Sequence, residues 1–247
     1  MDDTRLLRYS RHIMLDEIDM AGQERLQQAS VLVLGCGGLG AAALPYLAAS
    51  GVGRLIIADD DKVEWSNLQR QISYTEADVD RAKVAAMRDY LHRLNSDVHI
   101  TALEERLDEA ALLPWVAEAD VVLDCSDNAA TRHALNRACV ATGTDLVAAA
   151  AVRFGGQLCL LRPGQADSPC YACVFGDALF DDGACALFGV FAPLVGVVGT
   201  AQAALALRVL LGIGDTEPGV LQQYDGLSGR WQFFQAARNP QCPVCGV

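Results

Sequence analysis

Short apolar runs alternate with segments of helical spacing through the first part of the chain. The apolar runs comprise residues 31–34, 55–58, 99–103 and 121–124. Helical spacing is clearest over residues 39–49, 81–94 and 129–141. This alternation is typical of parallel strands joined by crossover helices, and it predicts an α/β fold with a doubly wound, Rossmann-like, mainly parallel sheet.

The pattern changes toward the C-terminus, where helices become sparse. Further apolar runs occupy residues 146–150, 158–161, 221–224 and 231–234. Strands that follow one another without crossover helices favour antiparallel or mixed pairing. We therefore predict one domain over residues 1–247, with a nucleotide-binding half at 1–150 and a mixed-sheet half at 151–247.

Charge and composition narrow the possible partners and location. The chain has 247 residues, of which 52% are hydrophobic, and a formal net charge of −12. This charge repels phosphate backbones and anionic lipid, so neither nucleic acid nor a membrane surface is expected as a partner. The acidic N-terminus lacks the basic-then-apolar order of a secretion signal, which predicts a cytoplasmic protein. The uncharged residues 186–207 are interrupted by Pro193 and Gln202, so we interpret them as a buried loop and helix.

A glycine-rich turn follows the first predicted strand at residues 35–40. Its glycines are Gly35, Gly37, Gly38 and Gly40. Such a turn lets a phosphate approach the backbone closely, and the helix that follows presents unpaired N–H groups. Asp59 ends the next strand, where a carboxylate can accept the ribose hydroxyls. A dinucleotide, a mononucleotide and a tight turn without a ligand all remain open on these residues alone.

Cations and a second acidic site would favour ATP over a dinucleotide. Asn67, Arg70 and Lys83 follow the second strand and can converge on phosphates, although such side chains are often solvated surface. Asp127 and Asn128 follow the fourth strand, where ligands of open α/β sheets bind. Asp127 is therefore a candidate Mg²⁺ ligand. Either residue could instead cap the following helix.

Two Cys-x-x-Cys pairs predict a structural zinc site. Their members are Cys170, Cys173, Cys242 and Cys245. Four thiolates complete the tetrahedral shell of Zn²⁺ and leave no open position for catalysis. A redox dithiol is the main alternative.

The other cysteines fall into two groups. Cys36, Cys125, Cys139 and Cys159 lie in or beside apolar segments, which favours small buried side chains. Cys185 lies instead in an irregular segment, where a thiol could act as a nucleophile or be an ordinary loop residue.

In this order, the motifs resemble the bacterial adenylyltransferases of the ThiF/MoeB/HesA family, relatives of ubiquitin-activating enzymes. The resemblance runs over residues 8–11, 35–40, 66–71, 124–128, 170–173, 189–199 and 242–246. It implies binding of ATP, with Asp59 on the ribose and Arg70 and Lys83 on the phosphates. It further implies that Asp127 binds Mg²⁺ and organises the reacting centre, while Asn67 assists at the phosphates.

The resemblance also implies the reaction and the partners. The terminal carboxylate of a small ubiquitin-like sulfur-carrier protein with a Gly-Gly C-terminus would attack the α-phosphate, giving an acyl adenylate and pyrophosphate. Family members are homodimers, in which Arg11 would reach the nucleotide of the other protomer. Arg11 could equally belong to an amphipathic surface helix.

Within the family, the resemblance is slightly closer to the thiamine-pathway branch, ThiF, than to the molybdopterin branch, MoeB. Residues 8–11, 58–61 and 154–157 resemble the thiamine-pathway branch, whereas residues 192–194 resemble the molybdopterin branch. In the thiamine branch, Cys185 matches a cysteine that takes the acylated carrier into a sulfur-transfer linkage. No rhodanese-like extension follows Val247, so a separate sulfur-donor protein is expected. A nicotinamide-dependent dehydrogenase and a non-catalytic scaffold are the competing hypotheses.

Overall fold

The computed structural model describes residues 1–176 and 188–246, and in these residues eight strands form one sheet. The strands are β1 (Ser30–Leu34), β2 (Arg54–Ala58), β3 (His99–Leu103), β4 (Val121–Asp124), β5 (Asp145–Val152), β6 (Gly155–Leu161), β7 (Val220–Asp225) and β8 (Arg230–Gln235). The α-helices are α1 (Asp3–Ile13), α2 (Asp19–Gln28), α3 (Gly38–Ala49), α4 (Lys83–Leu94), α5 (Glu109–Ala117), α6 (Ala129–Thr142), α7 (Tyr171–Phe175) and α8 (Ala192–Leu211).

The strand order is β3-β2-β1-β4-β5-β6-β7-β8. Strands β1 to β5 pair in parallel, and β5 to β8 pair antiparallel. This confirms the predicted doubly wound sheet with an antiparallel C-terminal extension. The chain order reverses between β1 and β4, so a crevice opens at the carboxyl ends of these two strands.

Both faces of the parallel strands are covered. Val31 and Val33 of β1 face a core that includes residues of α3, α4 and α8, whereas Leu32 and Leu34 face a core that includes residues of α5 and α6. Successive side chains of a strand point to opposite faces, so a strand buried on both faces must be apolar throughout. This is the physical reason for the unbroken apolar runs in the sequence.

Helix α8 is a central element of the core. By length and composition it could cross a membrane, but half of its apolar stretch is buried inside the protein. It packs on α3 and against β4, β5 and β6. At Gly199 a Cβ would lie only 2.5 Å from the carbonyl oxygen of Leu39, so the missing side chain permits this close approach. The helix predicted within residues 186–207 is thus confirmed, and it extends to Leu211.

The N-terminal helices lie against the ends of α3 and α4. Tyr9 of α1 is buried, and its hydroxyl accepts a hydrogen bond of 2.9 Å from Asn95 Nδ2. Arg11 lies on the exposed side of helix α1, as the alternative interpretation of an amphipathic surface helix allowed. Helix α2 was not predicted, because most of its side chains are polar and few of them are buried.

Candidate functional site

A pocket of about 600 Å³ lies at the carboxyl ends of β1, β2 and β4, where the strand order reverses. Nearly all the residues predicted to contact a nucleotide line it. These are Gly35, Gly37, Gly38, Asp59, Asn67, Arg70, Lys83, Asp127 and Asn128. The fold therefore brings together residues that are almost a hundred positions apart in the chain.

The loop needs glycine at its different positions for different structural reasons. Gly35 has a φ of +99°, and a Cβ there would lie 2.7 Å from the carbonyl oxygen of Cys125. A Cβ at Gly40 would lie 2.1 Å from the carbonyl oxygen of Gly35, and Gly40 is not among the residues that line the pocket. Gly37 borders the pocket, with Gln71 Nε2 at 3.7 Å as the nearest neighbour of a Cβ. Gly40 thus serves loop packing, whereas Gly37 leaves room for a ligand.

Asp59 ties the glycine loop to the end of β2. Its Oδ2 accepts a hydrogen bond of 2.7 Å from Cys36 N, and its Oδ1 accepts one of 2.9 Å from Asp61 N. Burial raises the pKa of Asp59, although the charge of Lys83 and both backbone hydrogen bonds oppose that shift. The carboxylate lines the pocket and holds the loop in shape at the same time.

Lys83 begins α4 and forms an ion pair that the sequence did not reveal. Its Nζ lies 2.7 Å from Asp61 Oδ2, with the lysine side chain 7% exposed and the aspartate side chain 65% exposed. The backbone N–H of Lys83 also donates to the carbonyl oxygen of Asp61 at 2.9 Å. The spacing of Asp61 from Lys83 along the chain gives no signal of this pair. Lys83 and Asp61 both line the pocket, so this ion pair forms part of the pocket wall.

Asn67 and Arg70 lie on the segment that follows β2. Asn67 Oδ1 accepts a hydrogen bond of 3.1 Å from Glu64 N and so caps a short 3₁₀ turn. Arg70 Nη1 donates to the carbonyl oxygen of Ser66 at 3.0 Å. Both Asn67 and Arg70 line the pocket, and these bonds tie their side chains to the backbone of their own segment.

The turn after β4 presents Asp127 to the pocket. Asn128 caps α6, because its Oδ1 accepts a hydrogen bond of 2.9 Å from Thr131 N. The capping alternative is thus confirmed for Asn128. Asp127 is exposed at the pocket, and its carboxylate is one hard oxygen ligand of the kind that Mg²⁺ prefers.

Two residues that the sequence analysis did not assign shape the same turn. Arg132 lines the pocket, and its Nη2 donates to the carbonyl oxygen of Ser126 at 2.6 Å. Its position four residues after Asn128, on the same face of α6, was the available signal. Gln202 of α8 is fully buried and donates through Nε2 to the carbonyl oxygens of Asp124 and Val147, at 2.9 and 2.8 Å. An isolated amide in an apolar helix was the signal for it.

The four cysteines predicted to be small buried side chains are confirmed as buried; they are Cys36, Cys125, Cys139 and Cys159. Burial raises the pKa of all four thiols, to about 12 for Cys159. They are therefore protonated at neutral pH and are poor nucleophiles. Cys185 lies outside the described residues.

The two Cys-x-x-Cys pairs come together as one cluster. The Sγ atoms of Cys170, Cys173, Cys242 and Cys245 all lie within 4.8 Å of one another. The separations of Cys170 from Cys242 and of Cys173 from Cys245 are 3.6 and 3.4 Å. Tetrahedral coordination with Zn–S bonds of about 2.3 Å places sulfur atoms about 3.8 Å apart. The spacing and the all-sulfur donor set fit Zn²⁺.

Arg11 is a second predicted site residue, besides Gly40, that does not line the pocket of this chain. It lies on the exposed side of α1 and is not among the residues that line the pocket. A role at the nucleotide therefore requires a second copy of the chain.

Comparisons with known proteins agree with this geometry. The ThiF family profile matches residues 9–244. The sulfur carrier protein ThiS adenylyltransferase of Escherichia coli K12 is 48% identical over 100% of this chain and 97% of its own length. The molybdopterin-synthase adenylyltransferase of the same organism is 43% identical over 100% of this chain and 98% of its own length.

A solved structure supports the same assignment. The crystal structure of E. coli MccB with ATP superposes with a TM-score of 0.82 at 25% identity, covering 97% of this chain and 73% of that chain. The family profile spans the nucleotide pocket and three of the four clustered cysteines, Cys170, Cys173 and Cys242. The chain therefore belongs to the ThiF family.

Proposed function

We propose that this chain uses ATP to adenylate the C-terminal glycine carboxylate of a small ubiquitin-like sulfur-carrier protein. The observation that carries the proposal is the convergence of the glycine loop, Arg70, Lys83 and Asp127 on one pocket at the switch point of the sheet. The chain is 48% and 43% identical, over its whole length, to two carrier adenylyltransferases, and this similarity supports the same substrate class.

The residues of the pocket account for the steps of this reaction. The loop at residues 35–38 and the N-terminus of α3 receive the phosphates, and the ribose lies toward Asp59. A triphosphate competes with Asp61 for the ammonium group of Lys83, while Arg70 and Arg132 supply further positive charge. The carrier carboxylate attacks the α-phosphorus, the bond to the β-phosphate oxygen breaks, and pyrophosphate leaves. The nucleophile is already ionised, so the protein contributes positioning and charge neutralisation rather than a base.

Two metals complete the proposal. Asp127 would hold Mg²⁺, which when bound neutralises phosphate charge that develops on pyrophosphate departure. The four cysteines of the cluster would hold a structural Zn²⁺, which ties the C-terminal segment to α7.

Calorimetry with Mg-ATP and with NAD⁺ tests which nucleotide the pocket binds. Binding of NAD⁺ without binding of ATP would restore the dehydrogenase hypothesis.

The thiamine-pathway carrier is the first candidate substrate, and the small subunit of molybdopterin synthase is the second. The identities of 48% and 43% to the respective enzymes favour the first by a small margin. ATP–pyrophosphate exchange with each purified carrier, and with a carrier lacking its terminal glycine as control, decides between them. Exchange with neither intact carrier would refute carrier adenylation.

We further propose a cytoplasmic homodimer in which Arg11 acts on the partner's nucleotide. The carrier would bind on the half at residues 151–247, and a separate protein would donate sulfur. The test mixes two inactive variants, Arg11→Ala and Asp127→Ala. If Arg11 acts across the dimer, mixed dimers contain one complete site and regain exchange activity. Absence of rescue in mixed dimers whose formation has been verified would show that Arg11 does not act across the dimer.

A further inference from the structure

Asn136 is a buried polar residue of α6 to which the sequence analysis gave no role. Its side chain is nearly inaccessible, at 1% relative exposure. Nδ2 donates a hydrogen bond to Cys170 Sγ at 3.6 Å, and Oδ1 accepts one of 2.8 Å from Tyr171 N. One amide therefore contacts both the first cysteine of the cluster and the start of α7.

The hydrogen bond to Tyr171 settles which end of the amide faces the sulfur. A backbone N–H can only donate, so the atom that meets Tyr171 N must be the amide oxygen. The NH₂ group then necessarily points to Cys170. Asparagine is suited to this position because it combines one acceptor and one donor at a fixed separation.

An N–H donor to a zinc-bound sulfur has an energetic reason. Four thiolates carry more negative charge than one Zn²⁺ neutralises, and two of the four cysteines, Cys170 and Cys242, are buried away from water. Donors around metal ligands orient them and offset their charge. The described residues supply a second such bond outside the Cys-x-x-Cys pairs, from the backbone N–H of Asn239 to Cys173 Sγ at 3.4 Å. Asn136 differs from it in acting through a side chain, which substitution can remove.

The position of Asn136 on α6 links the cluster to the body of the fold. Arg132 lies one helical turn earlier on the same face and holds the turn at Ser126 beside the pocket. His133 contacts the Tyr171 ring edge-on, with centroids 5.5 Å apart. The helix that bears the pocket turn thus also anchors the segment that carries the first two cysteines.

We propose that Asn136 is a positioning residue of the zinc site, which stabilises the Cys170 thiolate and fixes α7 on α6. The proposal rests on Zn²⁺ binding by the cysteine cluster but not on adenylation. The role of Asn136 predicts a change in metal affinity, which a role in packing alone would not produce.

The first test compares Asn136→Asp with Asn95→Asp. An aspartate at 136 still accepts from Tyr171 N but replaces the donor to sulfur with an oxygen that repels the thiolate. Asn95 is equally buried and donates to the Tyr9 hydroxyl and the Ala48 carbonyl, so Asn95→Asp makes the same chemical change away from the cysteines. The affinity for Zn²⁺ is measured by competition with a chromogenic chelator.

We expect Asn136→Asp to weaken Zn²⁺ binding by about 10- to 100-fold, as is usual for groups that support metal ligands. Asn95→Asp should lower stability without changing the affinity for Zn²⁺. Wild-type affinity in the Asn136 variant, or an equal loss in both variants, would overturn the proposal. No detectable Zn²⁺ binding by the wild-type chain would instead refute the zinc site itself.

A second measurement needs no substitution, in case Asn136→Asp does not fold. In the wild-type chain loaded with ¹¹³Cd²⁺, NMR detects scalar coupling between the metal and protons that are hydrogen-bonded to its sulfur ligands. The Asn136 side-chain NH₂ and the Asn239 backbone N–H should both show this coupling. Coupling at Asn239 without coupling at Asn136 would show that the amide does not bind the metal-bound sulfur.

Discussion

Gln202 gives the sharpest test of how the fold shapes the pocket. The substitution Gln202→Met keeps roughly the volume of the side chain but removes its amide. Two carbonyl oxygens, of Asp124 and Val147, then lose the donor that lies 2.9 and 2.8 Å away. The Cys125 thiol, which donates to Gln202 Oε1 at 3.2 Å, loses its acceptor.

The size of the effect follows from burial. Gln202 is fully buried, so water cannot replace the lost bonds. An unsatisfied buried polar group costs about 1–3 kcal/mol, so the two carbonyl oxygens together predict a loss of about 2–6 kcal/mol in the free energy of unfolding. The bond from the thiol is weaker and adds little. Asp124 and Cys125 begin the turn that presents Asp127. Loss of the amide should therefore disturb this turn, and pyrophosphate exchange should fall even in the fraction of Gln202→Met that is folded.

Urea unfolding followed by tryptophan fluorescence measures the stability, and ATP–pyrophosphate exchange measures the activity. The matched control is Leu205→Met, which places methionine at another buried position of the same helix. Such a volume-conserving change should cost less than about 1.5 kcal/mol. If Gln202→Met cost no more than the control and left exchange unchanged, the amide would not hold the turn and the reasoning would fail.

Three further predictions address the remaining parts of the site. Asp127→Ala should lower the rate of pyrophosphate exchange by about 10²-fold or more. Cys185→Ser should leave that rate near wild type even if carrier thiocarboxylate no longer forms. Loss of exchange in a folded Cys185→Ser variant would contradict this division between adenylation and sulfur transfer. Gly40→Ala should lower the free energy of unfolding by about 1–3 kcal/mol or more, because the new Cβ would meet the backbone of Gly35. Gly37→Ala should remain stable but bind ATP more weakly in calorimetry. Equal losses of stability in the two variants would refute the distinction between a packing glycine and a pocket glycine. Burial raises the pKa of Asp124 above its usual value of 3.8. The native protein therefore holds this proton more tightly than the unfolded chain, and this contribution to stability is lost as pH rises from about 3.8 through the folded-state pKa. The Asp124→Asn variant should be more stable at neutral pH, and its free energy of unfolding should depend less on pH in that range; an unchanged pH dependence in urea titrations would count against this.

The sequence by itself determined the parallel sheet and most residues of the pocket. Strands buried on both faces must be apolar throughout, so their runs are visible without a structure. The carboxyl ends of such strands meet at one edge of the sheet, which is why the glycine loop, Asp59 and Asp127 could be placed together in advance. The cysteine pairs could also be recognised in the sequence, because metal ligation needs specific residue types at short spacing.

Only the tertiary structure decided the contacts between distant segments. The ion pair of Lys83 with Asp61, the amide of Gln202 under β4 and the bond of Asn136 to Cys170 join residues whose separation follows no local period. The structure also divided the loop glycines by function, since Gly40 packs against Gly35 whereas Gly37 borders the pocket. Periodicity reports which face of an element is buried, but the partner of a buried polar group depends on how whole elements pack, and that is set by the fold as a unit.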